Sequence, residues 1–271
     1  YTTAYTQENF QIWLKEFKLV AVKSGVSQDT VNSVMNEAIF LSKVIEYDRY
    51  QPEFYEDTFT YINKRANKDK VSKGLSLYNK QHSIIEEIEK KFSIEKELLL
   101  ALMGIETNYG KYLGKMDIIS SLATLSYDKR RSAFFTNELL TVLKLVDEGI
   151  IDYKILYGSW AGAFGNFQFM PSTIINNAID YNADNIIDLK STEDSFASAA
   201  NYLSKMGWDI TGKCFNKITL DDNIPIKYLN YSARKINNKK KLSFFKKYIK
   251  NYSPELGADD QIVAIITPDK E

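Results

Sequence analysis

The stretch Leu98-Leu99-Leu100-Ala101-Leu102-Met103-Gly104-Ile105-Glu106-Thr107-Asn108-Tyr109-Gly110 constrains this 271-residue chain more than any other. Every residue from Leu98 to Ile105 is apolar or glycine. Leucine, alanine and methionine favour a helix over a strand, so the run reads as a buried helix. Leu99, Leu102 and Met103 stand seven, four and three residues before Glu106, which places all four on one helix face. Gly110 is the expected stop. A carboxylate at the end of an oily helix is costly when charged and unpaired. Desolvation should raise its pKa and keep it protonated, which is what a general acid requires. The plainer reading is a glutamate that ends its helix and points to water or pairs with an arginine.

Bulk composition narrows the field. The chain is long enough to bury a sizeable core in one large domain or two to three small ones. Thirty-five basic residues balance thirty-five acidic ones, which argues against nucleic acid or an acidic membrane surface as the main partner. The single cysteine, Cys214, excludes an internal disulfide or a thiolate cluster. The single histidine, His82, excludes a multi-histidine metal site and leaves any Ser-His-Asp triad dependent on it. No apolar run approaches the length of a membrane span. The chain opens at Tyr1, so the reading expects that a signal or anchor has been removed.

Along the chain, Phe10, Trp13, Leu14, Phe17, Val20 and Ala21 recur at helical spacing up to Gly25. Ser27 then caps a second helix with Val31, Val34, Met35 and Ala38 inward. Pro52 breaks the Asp48-Arg49-Tyr50-Gln51-Pro52-Glu53-Phe54 segment. Thr58 to Arg65 is helical and carries Tyr61. Lys68 to Phe92 is a long amphipathic helix whose face is marked by Val71, Leu75, Tyr78, His82, Ile85 and Phe92. Asp117 to Ser126 is mixed and short. Tyr127-Asp128-Lys129-Arg130-Arg131 then leads into a helix from Ser132 to about Glu148. The paired arginines read as a solvated helix entrance, or, near an active site, as a carboxylate clamp.

Gly158-Ser159-Trp160-Ala161-Gly162-Ala163-Phe164-Gly165-Asn166-Phe167-Gln168-Phe169-Met170-Pro171-Ser172 suits a tight loop whose backbone approaches a ligand, with Pro171 opening a helix. Its glycine spacing is not a phosphate-binding fingerprint. Asp180, Asn182, Asp184 and Asp188 stand at positions 1, 3, 5 and 9 of a calcium-loop pattern. Position 6 is Asn185, which tolerates the left-handed conformation. Position 12 is Ser191, so Glu193 or Asp194 would have to supply the last carboxylate; an Asx-rich turn without metal is the competing reading. Ser195 to Met206 reads as a helix ending at Gly207-Trp208. Arg234 to Lys250 is a basic stretch with interleaved aromatics, and Gln261 to Thr267 reads as a strand.

With Gly104-Ile105-Glu106-Thr107-Asn108-Tyr109-Gly110, Ser121-Leu122-Ala123-Thr124-Leu125-Ser126 and the Gly158-to-Ser172 block in this order and spacing, the chain resembles the lytic murein transglycosylase B family from Glu8 to Trp208. The resemblance implies a mostly α-helical, lysozyme-like catalytic core over 67–210, carrying the EF-hand-like metal loop. It adds an accessory helical lobe over 1–66 and a small mixed α/β C-terminal lobe over 211–271. That last lobe is expected to be incomplete, because the family's Tyr-Asn segment would start where this chain stops, at Asp269-Lys270-Glu271. The family's catalytic acid falls on Glu106. Its sugar-contacting serine and glutamine fall on Ser159 and Gln168, its cleft tyrosine on Tyr61, and its paired arginines on Arg130 and Arg131. Tyr109, within the glutamate block, joins the substrate-binding candidates. The metal loop falls on Asp180, Asn182, Asp184, the backbone of Ile186, and Asp194, which implies a structural Ca²⁺ or Na⁺ ion and no organic cofactor.

The expected reaction cleaves the β-1,4 bond between N-acetylmuramic acid and N-acetylglucosamine in peptidoglycan and leaves 1,6-anhydro ends without consuming water. One glutamate acts as acid and then as base, where hydrolytic glycosidases use two carboxylates. Asp117 and Asp128 are candidates for a second acid. A lysozyme-type hydrolase and a non-catalytic peptidoglycan-binding module are the rival readings. The expected setting is the periplasm, with outer-membrane association only through a removed N-terminal anchor. Glycan strands and cell-wall assembly proteins are the expected partners, and nucleic acid is not.

Overall fold

The computed structural model describes residues 7–50, 58–211, 215–231 and 236–267. Cys214, Arg234, residues 51–54 with their expected proline break, and the chain end at 268–271 lie outside them.

The fold is mostly helical. Helices α1 (Gln7–Lys23) and α2 (Gln28–Met35) bury the apolar stripes expected of them, except that Val20 faces solvent. Ser27 caps α2, accepting a hydrogen bond from the Thr30 amide at 3.2 Å. Helices α3 (Ser42–Arg49) and α4 (Thr58–Arg65) follow. Helix α5 (Lys68–Phe92), capped by Asn67, is kinked at Gln81 (φ −123°, ψ 17°). The face this helix buries runs through Gly74, Tyr78, Ile85, Ile88 and Phe92, and it differs from the face expected. Ile85 and Ile88 are buried, whereas Val71 and Leu75 are exposed. His82 is exposed as well, beside the Asn79 carbonyl at 3.4 Å, and does not join the apolar stripe.

Helix α6 (Lys96–Thr107) comes next. Asp117 ends a two-residue strand, β1 (Met116–Asp117), and caps α7 (Ile118–Tyr127), accepting from the Ser120 amide at 2.6 Å. The segment expected to be mixed is therefore a helix whose residues from Ile118 to Ser126 are all buried. Its serines and threonines obscured the apolar periodicity. Ser120 and Thr124 are partnered, the Ile39 amide donating to Ser120 Oγ at 3.1 Å and the Leu41 amide to Thr124 Oγ1 at 3.0 Å, whereas among the described residues the buried Ser121 and Ser126 hydroxyls have no hydrogen-bond partner. Helix α8 (Ser132–Asp147) packs along α7, and β2 (Tyr157–Gly158) pairs antiparallel with β1. Helices α9 (Pro171–Asn177) and α10 (Thr192–Lys205) complete this part, with α10 laid against α5. Ser191, the twelfth position of the calcium pattern, is the N-cap of α10.

The chain divides into two compact units, one formed by Tyr1–Phe54 with Ala66–Trp208, the other by Tyr55–Arg65 with Asp209–Glu271. The N-terminal helices share one continuous hydrophobic core with the central ones. The Phe10 and Tyr127 rings, for example, meet edge to face at 5.7 Å, a geometry worth about 0.5–1.5 kcal/mol beyond the area buried. In the second unit, β3 (Leu229–Asn230) pairs in parallel with β6 (Ile265–Ile266), and β4 (Lys240–Lys241) pairs antiparallel with β5 (Ile262–Val263). Helix α11 (Leu242–Phe245) spans one turn of the basic stretch, and its Leu242 and Phe245 join Ile249 and Ile265 in a small separate core.

Candidate active site

Glu106 is the penultimate residue of α6. Leu99 and Met103 on its face are buried and Leu102 is half-buried. The Glu106 side chain is itself exposed to solvent, yet enough protein surrounds it for burial to raise its carboxyl above the usual range. The two facts agree if solvent reaches the residue from one side while protein displaces water on the others. The negative end of the helix dipole opposes a negative charge at the same place.

The helix ends earlier than Gly110. Asn108 (φ 51°), Tyr109 (φ 60°) and Gly110 (φ 78°) are left-handed in succession. For tyrosine this conformation costs on the order of 1–3 kcal/mol, and it persists only where surrounding contacts impose it. Two contacts do so here. The Thr107 hydroxyl accepts the Gly110 amide at 3.0 Å. The Tyr109 ring fills a slot between α5 and α6 that exists because Gly74 and Gly104 lack side chains: a Cβ on either would lie 2.6 or 2.7 Å from the tyrosine hydroxyl. Burial raises the pKa of this phenol too.

The glycine-rich loop closes on the protein's own backbone. A side chain on Gly158 would strike the Ala163 carbonyl, one on Gly162 would strike Leu122, and one on Gly165 would meet Leu189 Cβ at 2.6 Å. The glycines are thus required by internal close approach. Ser159 Oγ accepts from the Ala163 amide at 3.0 Å. Phe164 and Phe169 pair across a tight turn in which Gln168 is left-handed (φ 50°). The Gln168 amide nitrogen donates to the Leu113 carbonyl at 3.2 Å and the Gly165 carbonyl at 2.9 Å. Glu138, buried on α8 and not singled out by sequence, accepts from the Ser172 amide at 2.8 Å and the Ser172 hydroxyl at 2.6 Å, anchoring the start of α9.

Arg130 and Arg131 hold a carboxylate of the chain itself. Arg130 donates to Asp48 Oδ2 from Nε at 2.6 Å and to the Asp48 carbonyl from Nη2 at 2.5 Å, and Arg131 donates to Asp48 Oδ1. Burial alone would raise the Asp48 carboxyl; the bonds and charges of the two arginines outweigh it and hold it below the usual range. In the reciprocal pair, Arg49 grips Asp128 with two bonds of 2.8 Å each. Asp48 and Asp128 are buried, and the guanidinium groups keep about two-fifths of their surface. Tyr61 lies on α4, in the other unit, half-buried under the Arg65 guanidinium at 4.0 Å.

In the acidic loop, Asp180 accepts the amides of Asp184 at 3.2 Å and Asn185 at 2.8 Å, and Asp184 accepts that of Ile186 at 2.8 Å. Asn182 donates to Asp184 at 2.9 Å. Asp194 is fully buried, and its two oxygens accept the Tyr181 and Asp188 amides at 2.8 Å each. The oxygen donors have the chemistry of a hard-cation site. As arranged, they satisfy backbone amides and one another. Among the described residues no three acidic, histidine or cysteine side chains converge as a metal centre requires.

Comparison with known proteins places this architecture. The model of the Transglycosylase SLT domain family matches residues 9–271. Over 149 residues the chain is 34% identical to Membrane-bound lytic murein transglycosylase B of Escherichia coli (strain K12), an alignment that takes in 55% of this chain and only 41% of that protein. The structure of SltB3 from Pseudomonas aeruginosa in complex with NAG-anhNAM-pentapeptide superposes with a TM-score of 0.86 at 27% identity, covering 96% of this chain and 69% of that one. The Escherichia coli lytic transglycosylase Slt35 in complex with calcium superposes at 0.74 with 25% identity, covering 91% and 77%. The expected lysozyme-like, mostly helical fold is the one these proteins share. Since the family match runs from residue 9 to the last residue, on that shared fold, the chain belongs to the Transglycosylase SLT domain family.

Proposed function

We propose that this chain is a lytic transglycosylase that cleaves the β-1,4 bond between N-acetylmuramic acid and N-acetylglucosamine in peptidoglycan. Protonated Glu106 gives its proton to the glycosidic oxygen as the C1–O bond breaks. As a carboxylate it then takes the proton of the muramic C6 hydroxyl, which attacks C1 of its own ring and closes the 1,6-anhydro bridge. No water is consumed, and the tethered nucleophile needs no separate positioning.

One observation carries the single-acid reading over a two-carboxylate hydrolase: both candidate second acids are engaged elsewhere. Asp117 caps α7, and Asp128 is buried in the grip of Arg49. Family membership and the raised Glu106 carboxyl support the assignment. In this reading Ser159, Gln168 and Tyr109 line the glycan site, and Tyr61 on α4 is a separate candidate for sugar contact. Arg130 and Arg131 present their exposed edges to the stem peptide while their inner edges hold Asp48. In the acidic loop, Asp180, Asn182, Asp184, the Ile186 carbonyl and Asp194 would hold a structural calcium or sodium ion, which would brace the loop. Among the described residues no helix is long and apolar enough to cross a membrane. We place the enzyme in the periplasm, held at the outer membrane by an anchor outside this chain, with glycan strands and cell-wall assembly proteins as its partners.

The test is mass spectrometry of soluble products from purified peptidoglycan, beside a Glu106→Gln control. Products lighter by about one water than reducing muropeptides, absent in the control, are expected. Reducing ends would make the enzyme a hydrolase, and retained cleavage by Glu106→Gln would overturn the role of Glu106.

A further inference from the structure

Thr107 follows Glu106 and is the last residue of α6. It is fully buried, and its hydroxyl has three neighbours: the Asn166 carbonyl at 2.9 Å, the Met103 carbonyl at 3.2 Å and the Gly110 amide at 3.0 Å. A hydroxyl has one proton to give. The shorter contact is to Asn166, in the glycine-rich loop, so the proton goes there while the oxygen accepts Gly110. One hydroxyl thereby ties the end of the Glu106 helix to that loop and holds the left-handed Asn108-Tyr109-Gly110 turn closed.

Asn166 extends the tie. It is buried, its amide donates to the Leu189 carbonyl at 2.8 Å, and its side-chain nitrogen donates to the Lys190 carbonyl and Ser195 Oγ at 3.0 Å each. Ser195 in turn donates to the Ser191 carbonyl, the residue that caps α10. A continuous buried run of hydrogen bonds therefore joins the residue after Glu106 to the exit of the acidic loop and the entrance of α10. Buried networks of this kind fix geometry because each group has no water to turn to instead. Among the described residues exposed Glu106 has no such tether of its own; its position is set by the helix end beneath it.

We propose that Thr107 and Asn166 form a positioning pair for Glu106, holding the carboxyl at the reacting bond through the backbone of the helix end. This rests on the reading of Glu106 as the acid given above. Thr107→Val keeps the shape and removes the hydroxyl, Thr107→Ser keeps the hydroxyl, and Asn166→Ala removes the anchor behind it while leaving the Thr107 bond to the backbone in place. All three are assayed on purified peptidoglycan, with melting temperatures and pH-rate profiles, beside Glu106→Gln.

Thr107→Val is expected to lower kcat about tenfold or more with KM within about twofold, as misplacement of a reacting group does. The pH at which its activity is lost should move downward, because a loosened carboxyl meets more water. Thr107→Ser should stay within about threefold of the parent, as the conservative variant that keeps the proton. Asn166→Ala should fall between them. If Thr107→Val folds and keeps its kcat and pH profile, or if Asn166→Ala does so where Thr107→Val does not fold, the proposal is overturned. Loss of activity in Thr107→Ser equal to that in Thr107→Val would overturn it as well. Cleavage retained by Glu106→Gln would instead bring down the underlying assignment.

Discussion

Tyr109 occupies the space that a side chain on Gly104 would need: a Cβ there would lie 2.7 Å from the tyrosine hydroxyl and 2.8 Å from Cζ. Gly104→Ala would gain about 1 kcal/mol of helix propensity. Overpacking against a ring already wedged beside Gly74 costs about 1–3 kcal/mol, so the net effect should be destabilising. The displaced ring should also disturb the left-handed turn after Glu106 and lower cleavage. Thermal melts and peptidoglycan turnover check this; a variant at least as stable and active as the parent would mean the ring moves aside freely.

Glu106 makes a prediction with a definite sign. Burial raises its folded carboxyl above the unfolded one, so the neutral side chain favours the folded state at low pH. That contribution is fully present below the ordinary carboxylate range and is lost as pH rises through the raised value. Glu106→Gln, neutral throughout, should therefore melt higher than the parent at neutral pH, with the gap closing as pH falls. Parallel melting curves at every pH would contradict the raised carboxyl. Cleavage by the parent should decline over the same interval, since the acid must begin protonated.

The Asp48 cluster predicts an asymmetry. Removing both Arg130 and Arg131 leaves a buried carboxylate whose remaining ion pair among the described residues is the more distant Arg49 contact, 3.4 Å away. Uncompensated buried charges cost about 3–5 kcal/mol. Asp48→Asn leaves behind arginines that are already about two-fifths exposed and readily hydrated, and should cost less, on the order of 1–2 kcal/mol. The depressed Asp48 carboxyl adds stability above its unfolded pKa that is lost as pH falls through the lower folded value. Urea unfolding of both variants at neutral and acid pH measures this, and equal losses would refute it.

Asp194 anchors the acidic loop by accepting two backbone amides. Asp194→Ala orphans both, at about 1–3 kcal/mol each where they stay dry. A lowered melting temperature in the presence of a chelator is expected, since this role needs no ion. Calcium should raise the melting temperature of the parent by mass action, and Asp180→Ala should abolish that rise. No calcium effect on the parent would remove the ion from the proposal and leave the loop to its amide and side-chain bonds.

Local patterns were legible wherever local physics decides the outcome. The Ser27 cap, the Lys68-to-Phe92 helix and the proline start at Pro171 are written in spacing and capping residues that act within a turn or two of themselves. The face of α5 was not fixed by periodicity because Val71 and Leu75 are apolar residues on the solvent side, and only the packed neighbours tell such residues from core. Helix α7 was missed because its buried hydroxyls look polar until partners such as the Leu41 and Ile39 amides, about eighty residues away, are known. Glu138 and Thr107 carried no signal of their own, since a glutamate or threonine on a helix is ordinary until a distant amide or carbonyl turns toward it.

By itself the sequence determined that a carboxylate would end an apolar helix, that most of the chain would be helical, and that oxygen-bearing side chains would crowd one short loop. These follow from periodicity and side-chain chemistry. The tertiary structure decided what surrounds those groups: that Glu106 stays reachable yet short of water, that Asp117 and Asp128 are occupied elsewhere, and that a threonine hydroxyl joins the helix end to a loop 59 residues away. Desolvation and hydrogen-bond partnership depend on the three-dimensional neighbours of an atom, and those neighbours come from segments far apart in the chain.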